Sequence, residues 1–310
     1  MKNPQITIIG AGKLAYSLTE ALIKNNYKIC IVVSKNRSSS LELAKKFRIE
    51  NFSNSLKDIP PSSNVYLLTV PDDQIPSVAK KLDKLNFDFR KSIFVHFSGA
   101  KNTSALKRLQ NKKANTASFH IMQTFPSKRV VKLNGCFTAI ESQSKSAQNF
   151  LTELADRLEL HVLSLNSNQK VNYHLAGVFA SNFLVSNLFA ADVLLKKIRK
   201  EKSSFEIVSP IIYSTLRNIN SKGTNEALSG PINRGDFETI KTHSTFLKKY
   251  VLSNRKQSIN YLYLSYLVQS LGLLEIIRSK RGKLDLKQVK IENFLVNELK
   301  KTIRLLKLFD

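Results

Sequence analysis

A glycine-rich turn between an apolar strand and an apolar-striped helix constrains the fold of this chain more than any other feature. The run QITII at residues 5–9 stops at Gly10, and apolar residues then recur at helical spacing, at Leu14, Leu18, Ala21 and Leu22. A second apolar run, YKICIVVS, occupies residues 27–34. This order of strand, helix and strand predicts a βαβ unit with two parallel strands.

The same alternation continues to about residue 165 and then ends. Further strand-like runs follow at 64–70, 92–99, 116–120, 135–140 and 160–165. After the polar linker NSNQ (166–169), the apolar periods are helical only, at 171–198, 205–219, 237–252, 258–279 and 288–308. We therefore expect the α/β class, with a doubly wound, mainly parallel sheet in residues 1–167 and an all-α domain in residues 168–310.

The net charge of +26 raises the question of a polyanionic partner. The 49 Lys and Arg residues are scattered along all 310 positions, and no aromatic-plus-basic signature accompanies them. Solvated lysine-rich surfaces explain such a distribution, so we expect no nucleic-acid partner. An anionic cofactor is a further reason for local positive charge.

Two long stretches, 171–191 and 258–274, carry no charged residue. Both contain Asn, Ser, Tyr or Gln throughout, which favours buried helices at an interface over membrane spans. We expect no membrane partner, and a homodimer formed through the uncharged helices. The start MKNPQITIIG leaves no room for the apolar part of a signal peptide, and Cys30 and Cys136 stand alone. A cytoplasmic protein without a metal site or disulfide framework is the expectation.

The turn GAGKLA at residues 10–15 has the spacing G-x-G-x-x-A of a dinucleotide site. Gly10 permits the tight turn, Gly12 lets the backbone approach a pyrophosphate, and Ala15 lets the helix pack close to the sheet. The amides of the helix N-terminus supply hydrogen-bond donors to the anion. Ala11, Lys13 and Leu14 complete the predicted phosphate-binding turn.

The end of the second strand favours NADP over NAD. An NAD site places an acidic residue about 20 residues after the glycines to bind the ribose. Here no Asp or Glu occurs between Ala21 and Leu41. The residues at the strand end are instead cationic or polar: Ser34, Lys35, Asn36 and Arg37. They suit a 2′-phosphate, although Lys35 and Arg37 could also be two more surface bases in a basic protein.

Two further motifs follow predicted strands, TVPDDQI (69–75) and HFSGA (96–100). The carboxyl ends of parallel strands are where such sheets bind ligands. Val70 and Pro71 are therefore predicted to lie against the ribose or nicotinamide, and Ser98 to donate to a substrate oxygen. Asp72 and Asp73 are predicted to cap a helix rather than to form a catalytic pair.

Six motifs together resemble one family. They are GAGKLA, LLTVPDDQI, HFSGA, FHIMQTFP (119–126), NYHLAGVFASNFLV (172–185) and ALSGPINRGDFETIKTH (227–243). They are similar to the Rossmann-like proteins with a C-terminal domain of unknown function 2520. The resemblance implies a Rossmann domain followed by a helical domain similar to that of 6-phosphogluconate dehydrogenases. Its wider relatives are pyrroline-5-carboxylate reductases, ketopantoate reductases and β-hydroxyacid dehydrogenases, which implies a reaction class but no substrate. One departure is Ile121, where the family has a proline after the histidine.

The resemblance also shows what this chain lacks. β-Hydroxyacid dehydrogenases use a lysine four residues before an asparagine on the first long helix after the Rossmann domain. The asparagine corresponds to Asn182, but Val178 stands where the lysine would be. The same helix offers His174, which could exchange a proton near neutrality. His120 is the second candidate for this role, and His96 is a further candidate, placed with the substrate. The alternative for His174 is a buried histidine satisfied by a backbone carbonyl.

The segment LSGPINRGDFETIKTH (228–243) interrupts the helical half with a turn. Gly235 and Asp236 predict a turn and a helix N-cap, and Arg234 stands just before the helix. A guanidinium beside free helix amides suits a carboxylate, and pyrroline-5-carboxylate reductases have a similar substrate-binding turn, in which Thr239 would supply the hydroxyl. The alternative is a structural hinge with Arg234 paired to Asp236.

Together these features predict an NADP-dependent oxidoreductase that transfers a hydride to or from a small molecule. The substrate is expected to be a carboxylate-bearing carbonyl, hydroxyl or imine compound. A catalytically silent NADP-binding sensor or scaffold is the alternative that the missing lysine leaves open.

Overall fold

The contacts of the computed structural model divide the chain into two units, which are described separately. The N-terminal unit comprises Met1–Leu184 and the C-terminal unit comprises Val185–Asp310. The structure describes residues 4–196, 198, 203–253 and 260–306.

The N-terminal unit contains one eight-stranded sheet with helices on both faces. The strands are β1 Gln5–Ile9, β2 Lys28–Val33, β3 Phe52–Ser53, β4 Val65–Leu68, β5 Ile93–His96, β6 Asn115–Ile121, β7 Phe137–Ser142 and β8 His161–Ser164. The helices are α1 Lys13–Lys24, α2 Arg37–Phe47, α3 Ile75–Leu82, α4 Lys107–Asn111, α5 Lys145–Arg157 and α6 Ser167–Gly177. The strand order is β3-β2-β1-β4-β5-β6-β7-β8.

The strands are buried on both faces, which explains their continuous apolar runs. Ile6 and Ile8 of β1 pack into one apolar layer with Leu18 of α1, whereas Ile9 packs into the other. The second layer includes Ile75 of α3. This period of two places one helix layer on each side of the sheet. The α/β class predicted from the sequence is confirmed.

The far edge of the sheet departs from the parallel pattern. Strands β1 to β6 are parallel, but β7 is antiparallel to β6, and β8 is parallel to β7. The segment between β6 and β7 has no helix to carry the chain back across the sheet, so β7 runs in the opposite direction. Within this segment the amide of Val131 donates to Ser17 Oγ of α1, at 3.0 Å.

The C-terminal unit is helical, as predicted. Its helices are α7 Phe183–Leu195, which begins two residues before the unit boundary, α8 Ser204–Ala227, α9 Pro231–Arg234, α10 Phe237–Ser253, α11 Asn260–Arg281 and α12 Leu286–Leu306. Its core contains Ile240, Leu267, Leu274, Ile291 and Leu295 from α10, α11 and α12. The parts of the predicted helices that fall on residues 197, 199–202, 254–259 and 307–310 lie outside the described residues.

Helix α6 belongs to the N-terminal unit by its contacts, although the sequence pattern becomes helical from residue 168 onward. The reason is that side chains of α6 contact strand residues: the buried Lys170 binds Ser118, and the ring of His174 meets that of His120. The stretch Asn168–Leu195 is long and apolar enough, by length and composition, to cross a membrane. Length and composition alone are weak indications, since core helices of soluble proteins pass the same test.

Candidate active site

The predicted cofactor turn lies at the carboxyl edge of the parallel strands. Gly10 has φ +108°, a conformation that favours glycine, and an added Cβ would lie 2.7 Å from the carbonyl oxygen of Thr69. Thr69 Oγ1 donates to the carbonyl oxygen of Gly10 at 2.8 Å. The turns after β1 and β4 are therefore tied together, at the place where the strand order reverses.

The start of α1 fits a bound phosphate. Gly12 precedes the helix with φ −81° and supplies no side-chain cap to its amides, and Lys13 and Leu14 form its first turn. A Cβ at Gly12 would lie 3.5 Å from the carbonyl oxygen of Thr69, an ordinary contact. Glycine is thus not required there by the fold, as it is at Gly10. Ala11 and Ala15 are buried, so that helix and turn pack close to the sheet.

The residues predicted to bind a 2′-phosphate lie at the end of β2. Ser34 donates its amide to the carbonyl oxygen of Ser53 at 3.0 Å, which holds the strand end in the sheet. Lys35, Asn36 and Arg37 are exposed. Arg37 begins α2, and its guanidinium lies over the ring of Phe52, 5.3 Å from the centroid. This stacking orients a cation at the carboxyl edge.

Asp72 has a different role from the helix cap predicted for it. A short 3₁₀ helix, Asp72–Gln74, follows Pro71, and no side chain caps it. Asp72 instead accepts a hydrogen bond of 2.5 Å from Ser98 Oγ. It can do so because β4 and β5 are neighbours whose ends meet at one edge. Val70 is half-buried and Pro71 is exposed beside it.

The hydroxyl of Ser98 is fully engaged. It donates to Asp72 and accepts from the amides of Ala100, at 3.2 Å, and Lys101, at 2.9 Å. The predicted donation to a substrate oxygen would therefore have to replace the bond to Asp72. Ser98 is buried and acts here as the centre of a rigid turn.

His96 is a buried and hydrogen-bonded histidine. Its Nδ1 accepts from the amide of Ser98 at 3.3 Å, and its Nε2 lies 3.2 Å from the carbonyl oxygen of Asn102. Burial lowers the pKa of His96 to about 4, and the Lys170 ammonium adds to this effect. The ring is thus neutral near pH 7, and both of its nitrogens are used within the turn.

Helix α6 lies along strand β6 in a matched register. Lys170 Nζ donates to Ser118 Oγ, and one helical turn later the ring of His174 meets the ring of His120. Four helical residues rise about 6 Å and two strand residues about 7 Å, so the spacing of the contacts agrees. A third contact continues the series, because a Cβ at Gly177 would lie 2.7 Å from Sδ of Met122.

The two imidazoles of His120 and His174 stand edge to face, with centroids 5.8 Å apart and planes at 80°. A Cβ at Gly99 would lie 2.4 Å from Nδ1 of His174 and 2.7 Å from Nε2 of His120. Gly99 therefore makes room for both rings. Tyr173 packs edge-on against His120, and its hydroxyl lies 3.4 Å from the His120 carbonyl oxygen.

His120 is an uncharged imidazole near neutral pH. Burial lowers its pKa to about 4, and the neighbouring His174 and Lys170 act in the same direction. Its Nδ1 is buried and has no hydrogen-bond partner among the residues that the structure describes. An unpaired polar atom of this kind is unusual in a folded interior.

Lys170 is a functional candidate that spacing to Asn182 does not reveal. The residue is 2% exposed, and its Nζ lies 3.2 Å from Glu141 Oε2. Glu141 Oε1 in turn accepts from the amide of Thr103 at 3.3 Å. Burial lowers the pKa of Lys170, and Glu141 opposes that shift. A sequence signal did exist, because Lys170 is the only Lys, Arg, Asp or Glu between Glu159 and Asp192.

Asn182 closes a π-helical turn, Val178–Asn182, between α6 and α7. The residue is exposed. Such a turn contains more residues than an α-helical one, so spacing counted from His174 does not carry over to Asn182. Isolated π-turns are frequent at functional sites.

The turn that contains Arg234 belongs to the C-terminal unit. Asp236 caps α10, because it accepts from the amide of Thr239 at 3.1 Å and from Thr239 Oγ1 at 2.7 Å. The cap predicted at Asp236 is thus present, and it engages the hydroxyl of Thr239. Arg234 is exposed, and among the described residues it forms no ion pair within 4 Å. Pro231 and Ile232 of the same turn line a mainly apolar cavity of about 340 Å³.

Two family profiles match the chain, one in its N-terminal part and one further along. Residues 5–95 match the profile of the NADP oxidoreductases described as coenzyme F420-dependent, and residues 136–268 match the domain of unknown function 2520. The sequence matches no curated protein at a significant level.

Three solved structures illustrate the structural likeness. A Bacteroides fragilis protein classed as an NADP oxidoreductase is 26% identical, with a TM-score of 0.72, over 87% of this chain and 98% of its own. A reductive aminase from Aspergillus terreus, in complex with NADPH and ethyl-5-oxohexanoate, is 12% identical, with a TM-score of 0.63 over 94% and 100%. A pyrroline-5-carboxylate reductase from Coxiella burnetii is 14% identical, with a TM-score of 0.54 over 88% and 99%.

The family resemblance predicted from the six motifs is confirmed. The reaction class follows from the same matches, and it is that of the NAD(P)-dependent dehydrogenases and reductases. The chain therefore combines a segment that matches the profile of the NADP oxidoreductases with one that matches the domain of unknown function 2520.

Proposed function

We propose that this protein is an NADPH-dependent reductase of a small, carboxylate-bearing carbonyl or imine compound, or a dehydrogenase acting in the reverse direction. The observation that carries the proposal is the coexistence, at one sheet edge, of a phosphate-type turn at Gly10–Gly12 and a pair of imidazoles at His120 and His174. Both the cofactor and an acid–base group are needed for hydride transfer with proton exchange.

The cofactor contacts are assigned to three segments. The amides at Gly12, Lys13 and Leu14 would hold the pyrophosphate, and Ala11 would line that turn. Ser34, Lys35, Asn36 and Arg37 would surround the 2′-phosphate, with two cations against its charge. Val70 and Pro71 would lie against the nicotinamide ribose. Bound NADPH would supply the hydride.

The proton is assigned to His174. Of the two facing imidazoles, His120 is neutral because burial disfavours its charged form. Reduction of a carbonyl or imine needs a proton donor, and burial disfavours that role for His120, so we assign it to His174. His120 would serve as its hydrogen-bonding neighbour, Ser98 and His96 would fix the turn beneath the rings, and Asn182 would contact substrate.

The substrate's anionic end is assigned to Arg234. Its guanidinium is exposed and free of ion pairs among the described residues, and it stands at the start of α10. A guanidinium binds a carboxylate through two parallel hydrogen bonds. Thr239 would contribute its hydroxyl as a donor to the carboxylate, for which it would have to release Asp236.

A cytoplasmic homodimer is proposed as the working form. Helix α8 exposes large apolar residues that a monomer would leave in water: Phe205, Ile207, Ile211, Tyr213 and Leu216. Exposed apolar surfaces of this kind mark association sites, and a second copy of α8 supplies a matching apolar surface. Ile211→Glu should convert a dimer into a monomer in sedimentation-velocity experiments. A dimer that persists in Ile211→Glu and in Leu216→Glu would place the interface elsewhere.

A fluorescence titration with NADPH and NADH tests the central claim. NADPH should bind at micromolar concentration and NADH more weakly, because only NADPH presents a 2′-phosphate to Lys35 and Arg37. A screen of 2-oxo and imino acids for NADPH oxidation follows. If neither nucleotide binds with a Kd below about 1 mM, which corresponds to a binding free energy of roughly −4 kcal/mol, the proposal is wrong.

A further inference from the structure

We propose that Lys170 is a positioning residue of this site. It anchors helix α6 on strand β6 and places a positive charge beside the His120–His174 pair, so that His120 is kept uncharged. The inference rests on the proposed role of the two imidazoles.

The first argument is the geometry of the helix on the strand. Lys170 and His174 are four residues apart on α6 and share one face, while Ser118 and His120 are two residues apart on β6 and also share one face. The contact of Lys170 with Ser118 therefore sets the register that brings His174 against His120. A lysine at this point acts on the imidazoles without touching the substrate.

The second argument is the polar chain that Lys170 begins. Ser118 Oγ lies 3.5 Å from the carbonyl oxygen of Ser98, and the hydroxyl of Ser98 is bonded to Asp72. On the other side Glu141 joins Lys170 to Thr103. These bonds link residues of β6 and β7 to the turns after β4 and β5. The turn after β5 contains Gly99, whose missing side chain leaves room for both rings. Lys170 is thus connected to the turn that positions the rings.

The third argument is the free-energy cost of burying the ion pair between Lys170 and Glu141. Burying an ammonium and a carboxylate removes both from water, and apolar substitutes for such pairs are often more stable. Lys170 and Glu141 are both largely buried, with side-chain exposures of 3% and 11%. A pair of this kind contributes little net stability to the fold. Its effect on the site is therefore the electric field that its charges produce there.

The field acts on a ring that already disfavours charge. The charged and titratable groups facing His120 are His174, Lys170 and Tyr173 from α6, and Asp72 from the turn after β4; burial raises the pKa of Tyr173 to about 12, so its hydroxyl is neutral. Lys170 and a protonated His174 both oppose a charge on His120, whereas Asp72 favours it. With Lys170 in place, a second proton on the imidazole pair meets two positive charges and a buried environment.

Histidine NMR tests this without a substrate. The chain has five histidines, so carbon-13 ring labelling gives five signals, which His120→Asn and His174→Asn assign. The key variant is Lys170→Met combined with Glu141→Gln, because it leaves no unpaired buried charge and should therefore fold. Its His120 titration midpoint should rise by about half a pH unit or more, since a nearby positive charge is lost.

Two control variants separate the charge from the contact. Ser118→Ala removes the hydroxyl partner, but the ion pair with Glu141 still holds the ammonium and α6 against the sheet, so the His120 midpoint should stay within roughly 0.2 of the unmodified protein's. Lys145→Met removes an exposed lysine at the start of α5 and should also leave it unchanged. A folded double variant with an unmoved His120 midpoint would overturn the proposal.

A measurement on the unmodified protein remains decisive if the double variant does not fold. The Lys170 ammonium is buried, so its Nζ signal should be visible by nitrogen-15 NMR and should shift as His120 titrates. A signal that is unaffected by that titration also overturns the proposal. NADPH binding is scored independently, so a failure of the cofactor assignment would be seen as lost NADPH binding with the histidine results intact.

Discussion

The rings of His120 and His174 meet edge to face directly over Gly99, whose missing side chain leaves the space that both rings occupy. Gly99→Ala should therefore displace the rings and lower kcat at least about tenfold, because a shift of about 1 Å in a catalytic group can cost 100-fold. NADPH affinity should be unchanged. Steady-state kinetics and NADPH titration check this.

Gly272→Ala is the matched control for that substitution. It lies within α11, has no positive φ, and an added Cβ meets nothing within 4 Å. It should leave kcat unchanged and raise stability by up to roughly 1 kcal/mol, the helix-propensity difference. Equal kinetics in both variants would show that the imidazole pair takes no part in the reaction.

Substitution of the two glycines of the cofactor turn should affect different properties, stability at Gly10 and NADPH binding at Gly12. Gly10→Ala forces a Cβ to within 2.7 Å of the Thr69 carbonyl oxygen at a positive φ, so it should lower the unfolding temperature. Gly12→Ala fits the fold but occupies space assigned to the pyrophosphate. It should weaken NADPH binding at least about tenfold, or ~1.4 kcal/mol, with an unchanged unfolding temperature. Thermal unfolding and NADPH titration on both proteins decide, and tight NADPH binding by Gly12→Ala would contradict the assignment.

Cofactor preference should depend on the cations after β2. Lys35→Ala and Arg37→Ala should each weaken NADPH binding about tenfold, in line with the loss of one charge-assisted contact, and leave NADH binding unchanged. Lys45→Ala, on the same helix as Arg37 and equally exposed, is the control. Parallel losses for both nucleotides would mean that the two residues act on something other than the 2′-phosphate.

The free energy of unfolding should decrease as the pH is lowered, over a range set by the pKa of His96. Its folded pKa of about 4 lies below the unfolded value of 6.5, so the unfolded chain binds more protons between these limits. Unfolding free energy should therefore fall as pH drops from 6.5 towards 4, by roughly 2 kcal/mol between pH 7 and 5 from this residue alone. Urea titrations of the unmodified protein and of His96→Gln at both pH values measure it. Exposed His161→Gln is the control, and identical pH dependence in the unmodified protein and His96→Gln would refute the assignment.

Arg234→Ala should raise KM for a carboxylate substrate about tenfold or more, since a charge-assisted hydrogen bond is lost, and leave NADPH affinity unchanged. The esterified substrate should show little difference between the two proteins. Lys241→Ala, an exposed cation on α10, is the control. A lower unfolding temperature with an equal loss for acid and ester would favour the structural hinge.

Most of the fold could be predicted because its signals are local. The apolar runs of β1, β4 and β5 and the helical periods after residue 166 depend on neighbouring residues only. The reversal of β7 could not be predicted in the same way, since apolar alternation is identical for parallel and antiparallel strands. Direction follows from the connection, and residues 122–136 carry no pattern that distinguishes a return from a crossover.

The site was predictable where a backbone conformation demands one residue type, as at Gly10. It was less predictable where partners are distant in sequence. Asp72 and Ser98 are 26 residues apart and Lys170 and Ser118 are 52 apart, so only the tertiary structure pairs them. The role of Asp72 was predicted wrongly for this reason. The lone charge of Lys170 in an uncharged segment was the signal that could have identified it.

The π-helical turn at Val178–Asn182 makes the helix sensitive to chain length. Its hydrogen-bonded ring encloses one residue more than an α-helical ring, and each α-helical residue turns the chain by about 100°. The wide turn takes up the one extra residue that would otherwise rotate the helix after it by that angle, so its removal would leave a regular α-helical turn. The turn therefore depends on the number of residues between His174 and Asn182, independently of which residues they are.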